Sequence, residues 1–130
     1  MSEEKFLSIY RGIITRIDDP KKMGRVKALI PSVLGPDTES EWALPCMPFG
    51  GSKDEGIYFL PKIQSTGWFM FENGDIHYPV FVGTWWTEGS APSEILSGDK
   101  VVIKTGKNIL IKTSGTLDLE DSRGGIDHTH

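Results

Sequence analysis

The sequence predicts an all-β protein in which a small antiparallel barrel is followed by a narrow β-prism built from three copies of the chain. Three observations lead to this prediction. Short apolar runs separated by turn residues fill the first 88 residues, residues 95–130 contain no aromatic side chain, and an eight-residue pattern repeats from residue 101. Because Pro or Gly interrupts every stretch before a period of 3.6 residues is established, no helix is predicted.

The predicted barrel occupies the first part of the chain. Its apolar runs are rich in β-branched and aromatic residues, which are typical of half-buried strands. In the second run, Val26, Ala28 and Ile30 alternate on one face. Pro20 and the pair Asn73-Gly74 supply tight turns. The predicted strands are residues 10–17, 24–30, 42–44, 56–60, 67–72 and 79–85, and this number of short strands favours a closed or nearly closed barrel.

The tail carries an internal repeat of eight residues. Written from residue 101, its three blocks are VVIKTGKN, ILIKTSGT and LDLEDSRG. The first and third positions of each block are aliphatic and the fourth is charged, so each short strand has one apolar face. The aliphatic pairs are Val101 and Ile103, Ile109 and Ile111, and Leu117 and Leu119.

A block of this kind cannot fold alone. Ordering its backbone costs about 1–2 kcal/mol per residue, whereas burying two aliphatic side chains returns about 3–6 kcal/mol. Three chains wound about one axis would bury the apolar faces and pair backbone groups between chains. The repeat therefore predicts an obligate homotrimer with a β-prism over residues 101–125, after a linker over residues 89–100. A monomeric solenoid extension and a disordered polar tail are alternative interpretations.

Two of the three histidines stand within the last three positions of the chain. In an extended strand His128 and His130 project to the same side, so three chains would bring six imidazoles to one axis. Six nitrogens suit an octahedral first-row metal, and iron is favoured because zinc prefers four ligands. Residues 126–130 are therefore predicted to form a tip with one structural metal ion per trimer. The third histidine, His77, is interpreted as a surface residue.

Composition and charge exclude several classes of protein. The chain has 14 Lys and Arg against 18 Asp and Glu, a net charge of −4, which argues against a basic nucleic-acid-binding face. No apolar run reaches the roughly 18–20 residues that cross a bilayer. The acidic start MSEEKF lacks a signal-peptide pattern, so secretion by the general pathway is not expected and synthesis in the cytoplasm is predicted. The single cysteine, Cys46, cannot form an intrachain disulfide and is interpreted as a buried apolar residue.

The sequence does not predict an enzyme. No nucleophile stands in an elbow motif, and the acidic residues 18–19 are interpreted as part of a solvated loop. The alternative function is a module that stacks the bases of single-stranded nucleic acid on Phe69, Phe71, Trp85 and Trp86. These aromatic residues lack interleaved Lys or Arg, so packing in the core is favoured and no nucleic-acid partner is expected.

A series of motifs along residues 10–130 resembles the central spike proteins of contractile injection machines. They are GIITRIDDP from Gly12, GRVK from Gly24, WALPCMPFGG from Trp42, GIYFLP from Gly56, FENGD from Phe71 and YPVFVGTWW from Tyr78. The proteins concerned are the bacteriophage baseplate assembly protein V type and the related type VI secretion spikes. One departure follows Pro61, where the family usually has Gly-Asp and this chain has Ile63-Gln64-Ser65-Thr66.

The resemblance implies an OB-fold domain over residues 1–88, a trimeric β-helix of octads and a pointed C-terminal tip. The segment His128-Thr129-His130 is similar to the His-x-His pair with which phage members hold iron. The implied function is a membrane-piercing spike at the baseplate tip of the virion, docked below hub and tail-tube proteins and driven through the host outer membrane. A spike of a phage-derived secretion or tailocin-like particle is the other function that the resemblance allows.

Overall fold

A computed structural model of the chain describes residues 4–125, which divide into two compact units between Ala91 and Pro92. All strands lie in the first unit: β1 (Tyr10–Arg16), β2 (Lys27–Leu29), β3 (Leu44–Pro45), β4 (Thr66–Phe71) and β5 (Pro79–Thr84). The prediction of no helix is wrong in detail, because Pro31 begins a single helical turn, α1 (Pro31–Leu34), and 3₁₀ turns occur at Glu72–Gly74 and Ser93–Leu96. Within residues 4–125 no helix has the length and hydropathy to cross a membrane.

The five strands form one sheet in the order β2-β1-β4-β5-β3. Neighbouring strands are antiparallel except for β3 and β5, which are parallel; the prediction of a wholly antiparallel barrel is therefore wrong at this edge. Isolated bridges join Val26 to Ala43 and Leu29 to Glu39. Since residues 39–43 lead directly into β3, the same segment contacts both edges of the sheet and curls it into an OB-like half-barrel.

The core lies on the inner face of this curled sheet. Val26, Ala28 and Ile30 are fully buried, which confirms the alternation predicted for the second strand. The ring centres of Phe69 on β4 and Phe81 on β5 lie 5.6 Å apart. Both side chains are almost completely buried from solvent. The remaining core residues are Ile14, Ala43 and Phe71.

Two glycines make room for the central ring of the core. Gly12 of β1 pairs with Gly67 of β4. A Cβ on Gly12 would lie 2.8 Å from the Phe69 ring and 2.9 Å from the carbonyl oxygen of Leu29. The absence of a side chain at this position is therefore what allows Phe69 to lie across β1.

Residues 56–60 do not form the strand that the sequence predicted. Only one backbone hydrogen bond is described for this stretch, from the N–H of Ile57 to the carbonyl of Phe49 at 2.9 Å. Phe59 is 60% exposed. The run GIYFL is apolar without polar alternation, and that pattern does not separate a buried strand from an exposed apolar loop.

The departure from the family pattern after Pro61 is a local turn. The N–H of Ser65 donates to the carbonyl of Lys62 at 3.0 Å, and the N–H of Gln64 donates to the carbonyl of Ile14 at 2.7 Å. Gln64 has a φ of 77°, in the left-handed region that glycine occupies most easily. The variation is thus confined to the turn that precedes β4.

In the second unit, the octads are not paired by backbone hydrogen bonds into strands. Residues 101–125 contain no strand in the single chain, and the exposed fraction of the six octad aliphatic side chains runs from 51% at Leu117 to 94% at Val101. An ion pair joins Glu94 to Lys104 at 2.8 Å. The β-prism over residues 101–125 remains a prediction, because its ladder would have to form between chains.

Candidate functional site

The turn between β1 and β2 is organised around one carboxylate, that of Asp19. Its oxygens accept hydrogen bonds from the backbone N–H groups of Lys21 and Met23, both at 2.9 Å, and from the Arg25 guanidinium at 2.7 Å and 2.9 Å. Only 3% of the Asp19 side chain is exposed. The guanidinium and the N–H donors hold the pKa of Asp19 well below its ordinary value. The interpretation of residues 18–19 as a solvated loop is therefore wrong for Asp19.

Next to this turn, the ring of Trp42 is surrounded by cations. The guanidinium carbons of Arg16 and Arg25 and the Nζ of Lys27 lie 5.3–5.6 Å from the centre of the ring. Each cation is also paired with an acid within 4.0 Å. The surface is therefore a neutralised ion-pair layer that holds the β1–β2 turn against Trp42, in the segment that leads into β3. The acids are Asp18, Asp19 and Glu39.

Asp19→Asn is expected to lower the stability of the first unit, because it leaves the Arg25 guanidinium without its counter-charge. The folded pKa of Asp19 lies below its ordinary value of 3.8. Its stabilising effect is therefore complete above roughly pH 5 and fades as the pH falls below roughly 4. Urea unfolding at pH 7 and pH 3 measures this: the midpoint of Asp19→Asn should fall well below wild type at pH 7, and the gap should narrow at pH 3.

The neighbouring residue is the matched control for this substitution. Asp18 is also paired with an arginine, Arg16, at 3.2 Å, but 71% of its side chain is exposed. Water screens such a pair, so Asp18→Asn should leave the midpoint almost unchanged at either pH. Equal effects of the two substitutions at pH 7 would contradict the assignment of the turn to Asp19.

A groove of about 1130 Å³ lies along the same side of the first unit. The Tyr58 hydroxyl donates to the carbonyl of Gly24 at 2.9 Å, and burial raises the pKa of Tyr58. Cys46 lines the groove and is exposed, so the interpretation of Cys46 as a buried apolar residue is wrong. Its backbone N–H donates to the carbonyl of Phe81 at 2.8 Å, which fixes the residue directly after β3.

The sequence patterns did not lead to a prediction of this groove, although one of them indicates it. GIYFL supplies four consecutive large apolar residues bounded by Gly56 and Pro61. A run without polar alternation, in a chain whose other strands do alternate, indicates an apolar surface that single-chain folding does not bury.

The aromatic residues of the nucleic-acid alternative are divided between core and surface. Phe69 is fully buried and Phe71 is 6% exposed, which confirms core packing for both. The ring of Trp85 lies 4.6 Å from the Arg11 guanidinium carbon, and its Nε1–H donates to the carbonyl of Gly67 at 3.3 Å. Trp86 is 58% exposed, so the prediction of core packing is wrong for this residue. The four aromatic side chains therefore do not form one continuous stacking platform.

The predicted metal ligands, His128 and His130, lie outside the described residues. Among residues 4–125 there is no group of three or more His, Cys, Asp or Glu side chains that could hold a metal ion. His77 is exposed, as predicted, and its backbone N–H donates to the Asp75 carboxylate at 2.9 Å. The metal site at the tip remains a prediction.

Comparison with known families matches the half-barrel. Residues 10–86, which span β1 to β5 and more than half of the chain, match the family described as the type VI secretion system and phage-baseplate injector OB domain. A comparison with curated proteins found no match. The chain therefore belongs to the injector family of phage baseplates and type VI secretion systems, whose members are spike-related structural proteins associated with other tail and baseplate components.

Proposed function

We propose that three copies of the chain form the envelope-piercing spike at the end of a contractile phage tail, and that sheath contraction drives it through the host outer membrane. One observation carries the proposal: the six octad aliphatic side chains are between 51% and 94% exposed in the single chain. Apolar surface gains about 25 cal/mol per Å² when it leaves water. Two sister chains around a common axis supply the cover and the backbone partners that one chain lacks.

The mechanical role needs a stiff shaft and a firmly held end. An intertwined prism over residues 101–125 supplies stiffness, since backbone pairing between three chains leaves no free sheet edge. The OB-fold domain predicted over residues 1–88 docks below the hub and tail-tube proteins of the baseplate. A spike on a phage-derived secretion or tailocin-like particle would use the same parts in the same way.

The oligomeric state tests this function directly. Sedimentation of the purified chain should give one species near 43 kDa, three times 14.4 kDa. A species of 14.4 kDa at micromolar concentration would contradict the proposal, because the octads would then not assemble with those of sister chains.

His128 and His130 are proposed to hold one iron ion at the tip of the trimer. Imidazole nitrogen is a suitable donor for iron and other first-row metals, and six such donors saturate an octahedral ion, which would tie the three chain ends together. Elemental analysis should find about one metal ion per trimer. His128→Ala with His130→Ala should remove the metal and leave the 43 kDa species, three times 14.4 kDa, intact.

His77→Ala is the control for the metal experiment, because His77 is exposed and lies in the first unit. It should retain the full metal content. Wild-type protein without a stoichiometric metal, or equal metal in the double variant, would contradict the tip assignment and leave the trimer untouched.

A further inference from the structure

The groove of the first unit has an apolar lining that the single chain leaves open to water. We call this lining the groove patch, and it consists of five large side chains. Their exposed fractions lie between 42% and 54%. The residues are Met23, Phe49, Ile57, Tyr58 and Leu60.

The groove patch is held by backbone contacts. The N–H of Ile57 donates to the carbonyl of Phe49, and the Tyr58 hydroxyl donates to the carbonyl of Gly24, both at 2.9 Å. Gly50 and Gly56 pass so close that a Cβ on Gly56 would lie 3.1 Å from the Phe49 carbonyl oxygen. Two loops are thus fixed side by side with their apolar side chains outward, which is a preformed surface for a partner.

We infer that the groove patch packs against a neighbouring copy of the same chain, so that the barrel units are joined by their own interface in addition to the tail. This inference rests on the proposed homotrimer and specifies where the first unit contributes to it. The contact is heterologous, as in any cyclic trimer, so each copy offers the groove patch to one neighbour and a different surface to the other.

The size of the patch favours a sister chain over a foreign protein. Even if each of the five side chains is given the roughly 150–250 Å² of an aromatic residue, their exposed fractions leave at most roughly 350–600 Å² of apolar surface. A standard stable interface needs about 800 Å² per partner, so the groove patch alone is too small for lasting capture of a separate protein. A sister chain already held through the tail is present at a high effective concentration and needs no larger contact.

Cys46 is a natural reporter for this interface. It lines the groove, it is an exposed residue in the single chain, and it is the only cysteine in the sequence. In the assembled full-length protein its reaction with a maleimide should be at least about tenfold slower than that of an open thiol, because thiol reactivity depends on access. The open reference is Asp37→Cys in a Cys46→Ser background, since Asp37 is exposed and outside the groove lining.

Two further variants distinguish protection of Cys46 by a neighbouring chain from a low intrinsic reactivity of its thiol. Phe49→Ser removes an exposed ring of the patch that makes no side-chain hydrogen bond, and should raise the Cys46 labelling rate about fivefold through loss of interface contact. Tyr78→Ser removes a ring that is 59% exposed elsewhere on the unit and should leave the rate unchanged.

The outcomes distinguish this inference from the proposed function. A species near 43 kDa, three times 14.4 kDa, with Cys46 protected and released by Phe49→Ser supports both. The same species with Cys46 labelled at the reference rate overturns the interface and leaves the homotrimer standing. A 14.4 kDa species with a fast thiol overturns both. Protection that Phe49→Ser does not change would also overturn the interface.

Discussion

Ile111→Asp is expected to abolish the 43 kDa assembly, three times 14.4 kDa, and leave folded single chains. Ile111 holds the third position of the middle octad and is 65% exposed in the single chain. In the proposed prism this position faces the axis, so three carboxylates would meet in one apolar layer. Burying an unpaired charge costs several kcal/mol per chain, which is comparable with the roughly 3–6 kcal/mol per chain that one rung gains from its aliphatic pair. The substitution also removes one member of that pair.

The matched control for this substitution is the adjacent residue. Leu110 is 83% exposed and stands at the second octad position, where the next block already has an aspartate, Asp118. Leu110→Asp therefore makes the same change of side chain on the opposite face and should retain the assembly. Sedimentation of both variants decides the matter. Equal behaviour of the two, or a trimer of Ile111→Asp, would contradict the assignment of first and third positions to the axis.

Gly12→Ala is expected to destabilise the half-barrel by about 3 kcal/mol, at the upper end for overpacking a core. The added Cβ would lie 2.8 Å from two carbons of the Phe69 ring and 2.9 Å from the Leu29 carbonyl oxygen. Neither neighbour can move freely. The ring packs against Phe81, and the Leu29 backbone is paired with Ile13 in the sheet.

A double-substitution cycle separates this close contact from a general effect on β1. Phe69→Leu alone should cost about 1–3 kcal/mol through loss of ring volume. In combination with Gly12→Ala the total loss should be smaller than the sum, because the smaller side chain vacates the space that the new methyl group needs. Urea unfolding of the four proteins measures the coupling. Strict additivity, or a loss below about 0.5 kcal/mol for Gly12→Ala, would contradict the steric explanation.

The sequence is sufficient to predict which residues are buried where burial follows a local rule. Every second residue of a strand faces the same side, so the spacing of Val26, Ala28 and Ile30 alone assigns them to one buried face. The same rule correctly places Phe69 and Phe71 in the core. The existence of β1, β2, β4 and β5 follows from composition and turn residues, with boundaries shifted by up to three residues.

The features that local patterns do not predict depend on contacts between distant segments. The parallel pairing of β3 with β5 joins Leu44 to Val80, a choice that no local pattern encodes. Two adjacent acidic residues usually face solvent. Asp19 is buried because the chain folds back at the turn and brings the Arg25 guanidinium into contact with its carboxylate. The exposure of Cys46 depends likewise on how loops 46–51 and 56–60 lie against each other.

In the proposed trimer, the open octads would make the rate of assembly depend on the concentration of the chain. The half-barrel draws its sheet contacts from one polypeptide, so it can form at any dilution, whereas each tail would need two more chains. A newly made chain would therefore pass through a partly folded monomer whose lifetime shortens as the chain concentration rises. Synthesis of many copies close together hastens completion, and scarcity leaves bare tails to proteases and to unwanted strand pairing.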